Sequence, residues 1–402
     1  MDVEIEGSRD LFTLPKELLE IQRVVRRIVT DELLPLEPEY LLSPAPAYGV
    51  DSVVNLRGVF APSVVDRLIG ISREAGLWDL HVPKELGGGG LGLLGQVVVD
   101  EQLMYCAVPL PIANVPNILY ECNQEQRGRF LLPVIRGEKL TCFAQTEPNS
   151  GSDPGGMMQT TAVRDGRSWV LNGTKMFISG AGQADIFMTQ AVTDAARRQR
   201  GGITMFLVEK GTAGLTVGKG IPTWLGPTHG QHFVHFDDCR VPEENVLGEV
   251  GRGFMLGQRW LTIHDRLLRA PYALGKMRRA LDLSVAWAKQ RSTFGKPIAE
   301  RQAIQWRLVD MYVDIQALSA LAYQSAARAD AGEDVRTEAS LAKLCSGDWG
   351  ARCLDHAIQI HGGMGETLEL PLTLFYGLLR HAQVGGGASE IHRMLIARSL
   401  LR

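Results

Sequence analysis

At 402 residues, 45% hydrophobic and 22% charged, the chain has an ordinary globular composition and is long enough for two or three domains sharing a sizeable core. A formal net charge of -3 and a pI near 6.3 exclude a bulk electrostatic case for nucleic acid or an anionic membrane. No apolar run approaches the roughly 18 residues of a membrane-spanning helix, and the six cysteines show neither a CxxC pair nor metal-ligand spacing, so no membrane segment and no metal site are expected. Buried free thiols in a reducing compartment are the reading of those cysteines. The acidic N-terminus "MDVEIEGSRD" lacks the pattern of a secretory signal, and "ARSLLR" at the other end carries no peroxisomal or prenylation motif. The expected location is cytoplasmic.

Three zones follow one another. In the first, "LPKELLEIQRVVRRIVTDELLPLE" and "APSVVDRLIGISREAGLWDL" repeat apolar residues every three or four positions, which predicts helices, with Gly76 at a helix end. "LLSPAPAYGVDS" between them reads as a loop. The second zone contains Asp165-Gly166 and Asn172-Gly173, both hairpin signals, and the short β-rich runs "GITMFLVEKG", "LTVGKG" and "HFVHFDDCRV". In the third, Ile304, Leu308, Met311, Ile315, Leu318 and Ala322 form one apolar stripe, expected for a long bundle helix. Further helices are expected in "ALDLSVAWAK", "RTEASLAKLCSGDWGARCLDHAIQI" and "SEIHRMLIARSLL". The predicted fold class is α+β: an N-terminal helical domain over 1–138, a central antiparallel β-domain over 139–250 and a C-terminal helical bundle over 251–402.

Several stretches are rich in chemistry without deciding it. "GGGGLG" (Gly87 to Gly92) matches G-x-G-x-x-G, but no clear strand precedes it and alternating βα units are absent, so it is read as a mimic of a dinucleotide fingerprint. "AQTEPNSGSDPGG" gathers small and polar residues whose amides suit a planar or phosphorylated ligand; composition alone favours a polar turn. "QRSTFGKPIAERQAIQ" sets Arg291 and Lys296 around Phe294, able to meet a phosphate and a ring, or forms an ordinary helix connection. "IQIHGGMGE" reads as a helix with a glycine cap, and His361 as a structural histidine. In "LTIHDRLLRAP", Asp265 near Arg266 and Arg269 is either an intrahelical ion pair or a carboxylate facing a cavity.

Taken in order, "TEPNSGSD", "LNGTKMFISGAGQAD", "FDDCRVPEENVLGEVGRGF", "RSTFGKPIAERQAIQ", "IQIHGGMG" and "SEIHRMLIARSLL" resemble the acyl-CoA dehydrogenase family of flavoproteins over nearly the whole chain. The resemblance implies FAD held between the β-domain and a four-helix bundle, an acyl-CoA substrate, re-oxidation by an electron-transfer flavoprotein, and a homo-oligomer, dimer or tetramer. By motif, Phe143, Gln145 and Thr146 run along the isoalloxazine ring, Ser152 meets cofactor or substrate, and Phe177 and Ser179 cover the ring and approach its reactive nitrogen. Arg291, Thr293, Phe294 and Gln302 resemble residues that reach a neighbouring subunit's FAD. Gln359, Gly362 and Gly363 admit its pyrophosphate, and Ala388, Ser389 and Glu390 fall on its adenosine side.

The departure from the family lies in "QVGGGASE". Where most members carry a catalytic Glu, this chain has Gly386, which takes no proton. The resemblance to relatives that carry the base on an early bundle helix makes Asp265, directly before Arg266, the candidate base, with Arg266 and Gly386 near the substrate. Removing side chains at 385 and 386 is expected to open space for a branched or bulky acyl group. The leading expectation is oxidation of an acyl-CoA to its α,β-enoyl form. A non-catalytic or half-catalytic FAD-binding subunit of a hetero-oligomer, or altered flavin chemistry as an oxidase or reductase, stays open beside it.

Overall fold

A computed structural model describes residues 12–43, 51–225 and 230–402. The loop expected at "LLSPAPAYGVDS" lies mostly outside the described residues. Contacts group the chain into two compact units: Met1–Pro44, Pro83–Leu110 and Thr262–Arg402 form one, Ala45–Val82 and Pro111–Leu261 the other. The helices of the 1–138 stretch therefore divide between the units.

The first unit is helical. Its elements are α1 (Lys16–Ile28), α2 (Leu93–Leu103), α3 (Arg269–Gln290), α4 (Gln302–Asp330), α5 (Arg336–His361), α6 (Leu372–His381) and α7 (Ser389–Leu400). On α4 the stripe is buried at Met311, Ile315, Leu318 and Ala322, while Ile304 and Leu308 nearer the helix start are only half-buried. Helix α5 packs against α3, α4, α6 and α7. Its small residues permit this: a Cβ on Gly347 would sit 2.9 Å from Gln383, and one on Gly350 2.9 Å from Leu379. The glycine-rich stretch before α2 follows a short 3₁₀ turn, Lys84–Leu86, and no strand. The Asp330 carboxylate accepts from the Leu93 and Leu94 amides at 2.7 and 2.9 Å, so the chain itself supplies the anion at this helix start.

The second unit is built on an eight-stranded sheet among the described residues: β1 (Thr141–Ala144), β2 (Thr161–Asp165), β3 (Ser168–Ser179), β4 (Ile186–Val192), β5 (Ile203–Glu209), β6 (Leu215–Gly220), β7 (Gln231–Pro242) and β8 (Val246–Leu247). Neighbours run β6-β7-β3-β2-β4-β5-β8. The expected antiparallel pairing holds for β2–β3, β3–β7, β4–β5, β5–β8 and β6–β7, but β1 lies parallel to β4 and β2 meets β4 in parallel at one residue pair. A parallel pair needs a long return connection, which the β2–β3 hairpin and its flanks supply. Trp169, Leu171, Phe187, Phe206, Val234, Phe236 and Val241 are among the side chains of its core.

Asp165-Gly166 makes the expected hairpin between β2 and β3. Asn172-Gly173 does not turn the chain; it lies inside β3 at a break in register with β7. There the Asn172 and Asp238 side chains bond across the strands, and Asp238 has φ 46°. A Cβ on Gly173 would lie 2.6 Å from the Thr160 Cα. The same residue chemistry that turns a hairpin is here used for a bulge and a close backbone approach.

Candidate functional site

In the sheet unit, the loop after β1 is fastened from within. Gln145 is buried and its Nε2 donates to Gln190 Oε1 at 2.7 Å; Gln190 in turn donates to the Gly253 carbonyl at 2.8 Å. Glu147 and Lys175, both buried, form an ion pair at 2.9 Å. Glu147 also accepts from the Gln159 and Thr160 amides, and Lys175 donates to the Gln145 carbonyl. Burial works against the Glu147 charge, yet Lys175 and these hydrogen bonds hold its carboxyl below the usual range. Burial pulls Lys175 down to about 8, with Glu147 opposing. Glu147 and Lys175 sit inside the quoted motifs "TEP" and "GTK", but composition and spacing carried no sign that they meet.

Met176 donates to the Thr146 carbonyl at 2.8 Å, so β3 holds this loop along its edge. Just beyond, a second break in register between Lys175 and Ile178 turns Phe177 outward. Its φ is 59° and it is 46% exposed. A left-handed aromatic held in the open is the kind of local strain that functional surfaces keep. Ser179 is exposed, and so is Ser152, with φ 62°. The half-buried Phe143 ring packs 4.7 Å from that of Trp260. These residues give the unit a rim on which an aromatic ligand could lie, with Phe177 as its free face.

In the helical unit the site residues fall into three groups. The first is a two-stranded turn, Ser292–Thr293 with Lys296–Pro297, that lifts Phe294 to 98% exposure at φ 49°. Arg291 and Gln302 are exposed beside it in sequence, and Arg301 steadies the turn by donating to the Thr293 carbonyl at 2.8 Å. The second is the end of α5. His361 is buried, bonded to the Ala357 carbonyl at 2.8 Å and stacked on Trp287, which is the structural role read for it. Gln359, Gly362 and Gly363 are exposed, and a Cβ on either glycine would meet nothing within 4 Å. The two bare glycines leave this helix end open to close approach by a ligand, as the exposed Phe177 ring leaves a face open on the sheet unit.

The third group surrounds Asp265. Asp265 lies in a π-helical turn, Thr262–Leu267, that leads into α3. Its Oδ1 accepts from Arg269 at 2.6 Å. Burial disfavours the Arg269 charge, but Asp265 and Tyr272 together lift its pKa above the ordinary value. Arg266, adjacent, is pulled below its own by burial, with Asp265 opposing. Gly386 has φ 70°, and a Cβ built on it would lie 3.0 Å from the Asp265 Cβ, 3.0 Å from its carbonyl oxygen and 3.3 Å from its Cγ. The structure thus brings together Asp265, Arg266 and Gly386, which lie about 120 residues apart at their extremes. The space expected at the two glycines is not open. Asp265 fills it at 386, and a Cβ on Gly385 would meet the His381 ring at 2.8 Å, so the absent side chains leave no added room for a bulky acyl group. We expect Gly386→Ala to lower stability by roughly 1–3 kcal/mol, read as a fall in the urea midpoint, because it adds left-handed strain and a contact with backbone. Ala388 precedes α7, whose first residue Ser389 is buried and bonds Asp348; Glu390 is exposed in its first turn.

Among the described residues, no group of three or more His, Cys, Asp or Glu side chains could hold a metal, and no helix is long and apolar enough to cross a membrane. Comparison with known proteins covers most of the chain. The acyl-CoA dehydrogenase N-terminal, middle and C-terminal domain models match residues 58–138, 142–239 and 251–401. The chain is 37% identical to the mitochondrial short-chain specific acyl-CoA dehydrogenase of Mus musculus over 82% of this chain and 81% of that one. It is 34% identical to (R)-benzylsuccinyl-CoA dehydrogenase of Thauera aromatica over 97% of both. Butyryl-CoA dehydrogenase from Megasphaera elsdenii superposes with a TM-score of 0.82 at 30% identity, covering 97% of this chain and 100% of the other. With its helical and sheet zones and these matches, the chain belongs to the acyl-CoA dehydrogenase family, whose members are FAD-dependent oxidoreductases acting on CH–CH groups.

Proposed function

We propose that this chain oxidises an acyl-CoA thioester to its α,β-enoyl form with Asp265 as the base. The observation that carries the reading is the 3.3 Å between the Asp265 Cγ and a Cβ at position 386. A carboxylate from the turn before α3 stands where the missing C-terminal side chain would begin. Bound FAD supplies the two-electron acceptor. The Asp265 carboxylate would take the α-proton of the thioester, and the FAD would accept the two electrons of the β C–H bond as the double bond forms. Arg269 orients the carboxylate by gripping Oδ1. Gly386 and Arg266 lie beside it to face the thioester end of the substrate.

The FAD surfaces in this reading are the rim from Phe143 through Gln145, Thr146 and Ser152 to Phe177 and Ser179, the open end of α5 at Gln359, Gly362 and Gly363, and Ala388 with Glu390. Arg291, Thr293, Phe294 and Gln302 serve a second subunit's cofactor in a homo-oligomer. The apolar stripe Trp306, Val309 and Val313, exposed along α4, together with the 98% exposed Phe294, supports that assembly. An electron-transfer flavoprotein is the proposed acceptor, and the six free cysteines fit a cytoplasmic location. The test is anaerobic bleaching of the bound flavin by acyl-CoAs of differing length and branching. Bleaching with formation of the enoyl product is expected; a purified chain that holds FAD and is bleached by none of them is not a dehydrogenase alone.

A further inference from the structure

The helical unit buries several basic side chains near Asp265. Arg269, Tyr272 and Lys276 fall at i, i+3 and i+7 and line one face of α3. The Arg269 Nε is buried and meets no hydrogen-bond partner among the described residues, although its other end holds Asp265. Lys276 is 3% exposed. Its ammonium rests on the Tyr272 carbonyl at 3.3 Å, the Met104 sulfur at 3.4 Å and the faces of Tyr272 and Phe375 at 3.5 and 5.5 Å. On α5, Lys343 is 2% exposed and donates to the Ala382 carbonyl. Among the described residues no carboxylate lies within ion-pair distance of either lysine. Asp348, which faces the same region, is taken by Arg393 and Ser389.

Each lysine answers to this crowding. Burial pulls Lys276 down to about 7 and Lys343 to about 7, and in both the Arg269 charge is the next cause. His392 from α7 is fully buried against the Gly386–Gly387 backbone, and its two ring nitrogens meet no partner at hydrogen-bond geometry among the described residues. Burial first, then Lys343 and Arg266, holds His392 down to about 4, so it adds no charge at neutral pH. Lys276 and Lys343 thus share the field of Arg269 with no carboxylate at ion-pair distance among the described residues. A buried ammonium without an anion is costly, and leucine at 276 would pack without that cost. An anion that arrives with the ligand relieves it, and a guanidinium and an ammonium along one helix face are each able to receive a carboxylate.

We propose that the Arg269–Tyr272–Lys276 face of α3 binds a second carboxylate on the acyl group, so that the substrate is the monothioester of a dicarboxylic acid. This rests on the dehydrogenase reading above and narrows its substrate. Helix α3 rises roughly 10 Å from Arg269 to Lys276, so acyl chains of several lengths can present a terminal carboxylate between the two.

The FAD-loaded full chain would be titrated anaerobically with succinyl-, glutaryl- and adipyl-CoA. Each is paired with the straight-chain monocarboxylic acyl-CoA of the same carbon number and with its own monomethyl ester. The readout is the concentration that half-bleaches the flavin. At least one dicarboxylic thioester should do so at about tenfold lower concentration than both of its neutral partners. In Lys276→Met that ratio should fall toward about one. Neutral acyl-CoAs that bleach as well as every dicarboxylic one overturn this proposal and leave the dehydrogenase reading standing. A preference that survives unchanged in flavin-loaded Lys276→Met also overturns it. No bleaching by either class overturns both.

Discussion

In Asp265→Asn, flavin reduction by acyl-CoA should slow by about 1,000-fold while FAD stays bound. A positioned general base contributes roughly 100- to 10,000-fold, and asparagine keeps the shape of aspartate while losing the capacity to take a proton. The amide oxygen can still accept from Arg269, so the 2.6 Å contact that shapes the turn has a substitute and the fold is retained. The FAD surfaces proposed on this chain, Phe177 on β3 and the glycines at the end of α5, are other residues on other elements, which is why cofactor content should not change. Stopped-flow absorbance under anaerobic conditions reads the rate, and the flavin-to-protein ratio reads retention. An Asn variant reduced at the parent's rate would remove Asp265 as the base. Gly386→Glu is expected not to rescue it, because a side chain there starts 3.0 Å from the Asp265 Cβ and backbone oxygen and requires φ 70°. The two positions compete for one volume, so a chain with Asp265 seated as it is here has no room for the usual carboxylate.

That competition also marks where the sequence stops being informative. The apolar stripe on α4 was legible because burial of one helix face imposes a period, and Met311, Ile315, Leu318 and Ala322 obey it. Asp165-Gly166 and Asn172-Gly173 read alike and act differently. Local turn chemistry says that the backbone can go left-handed, but whether the chain reverses depends on pairing: β7 runs past Asn172-Gly173 and keeps β3 going. The meeting of Asp265 with Gly386 came from resemblance and not from spacing, since nothing local joins the turn before α3 to the turn before α7. The glycines themselves misled: an absent side chain reads as space, yet in a close-packed interior a neighbour takes it, here Asp265 and His381. Lys276 gave no signal either. A lone lysine in a helix is ordinarily solvated, and only the packed structure shows that this one is not.

The same blindness applies to Glu147 and Lys175, where the second large effect is expected. Glu147→Gln should destabilise the chain by about 3–5 kcal/mol at neutral pH, read by urea unfolding, because it leaves the Lys175 ammonium buried without its anion. The cost should depend on pH in a definite direction. Lys175 has a folded value of about 8, below the 10.5 of the free side chain, so the unfolded chain holds that proton more tightly. The penalty for burying the charge is therefore in full force below about 8 and fades as pH rises toward 10.5. Glu147 is what raises the lysine's value against burial; without it the folded value drops further and recovery begins at lower pH. The deficit of Glu147→Gln relative to the parent should thus narrow between neutral and mildly alkaline pH. A deficit that is constant with pH would mean that packing and not charge is lost. Adding Lys175→Met to Glu147→Gln should recover most of the stability, since a buried pair replaced by neutral groups leaves no charge to desolvate. The hydrogen bonds from Lys175 to the Gln145 carbonyl and from Gln159 and Thr160 to Glu147 would be weakened or lost in that double variant. Stability would then return without the fastening of the "QTEP" loop to β3, and the double variant should bind FAD more weakly than the parent at equal stability, separating what the pair does for the fold from what it does for the cofactor.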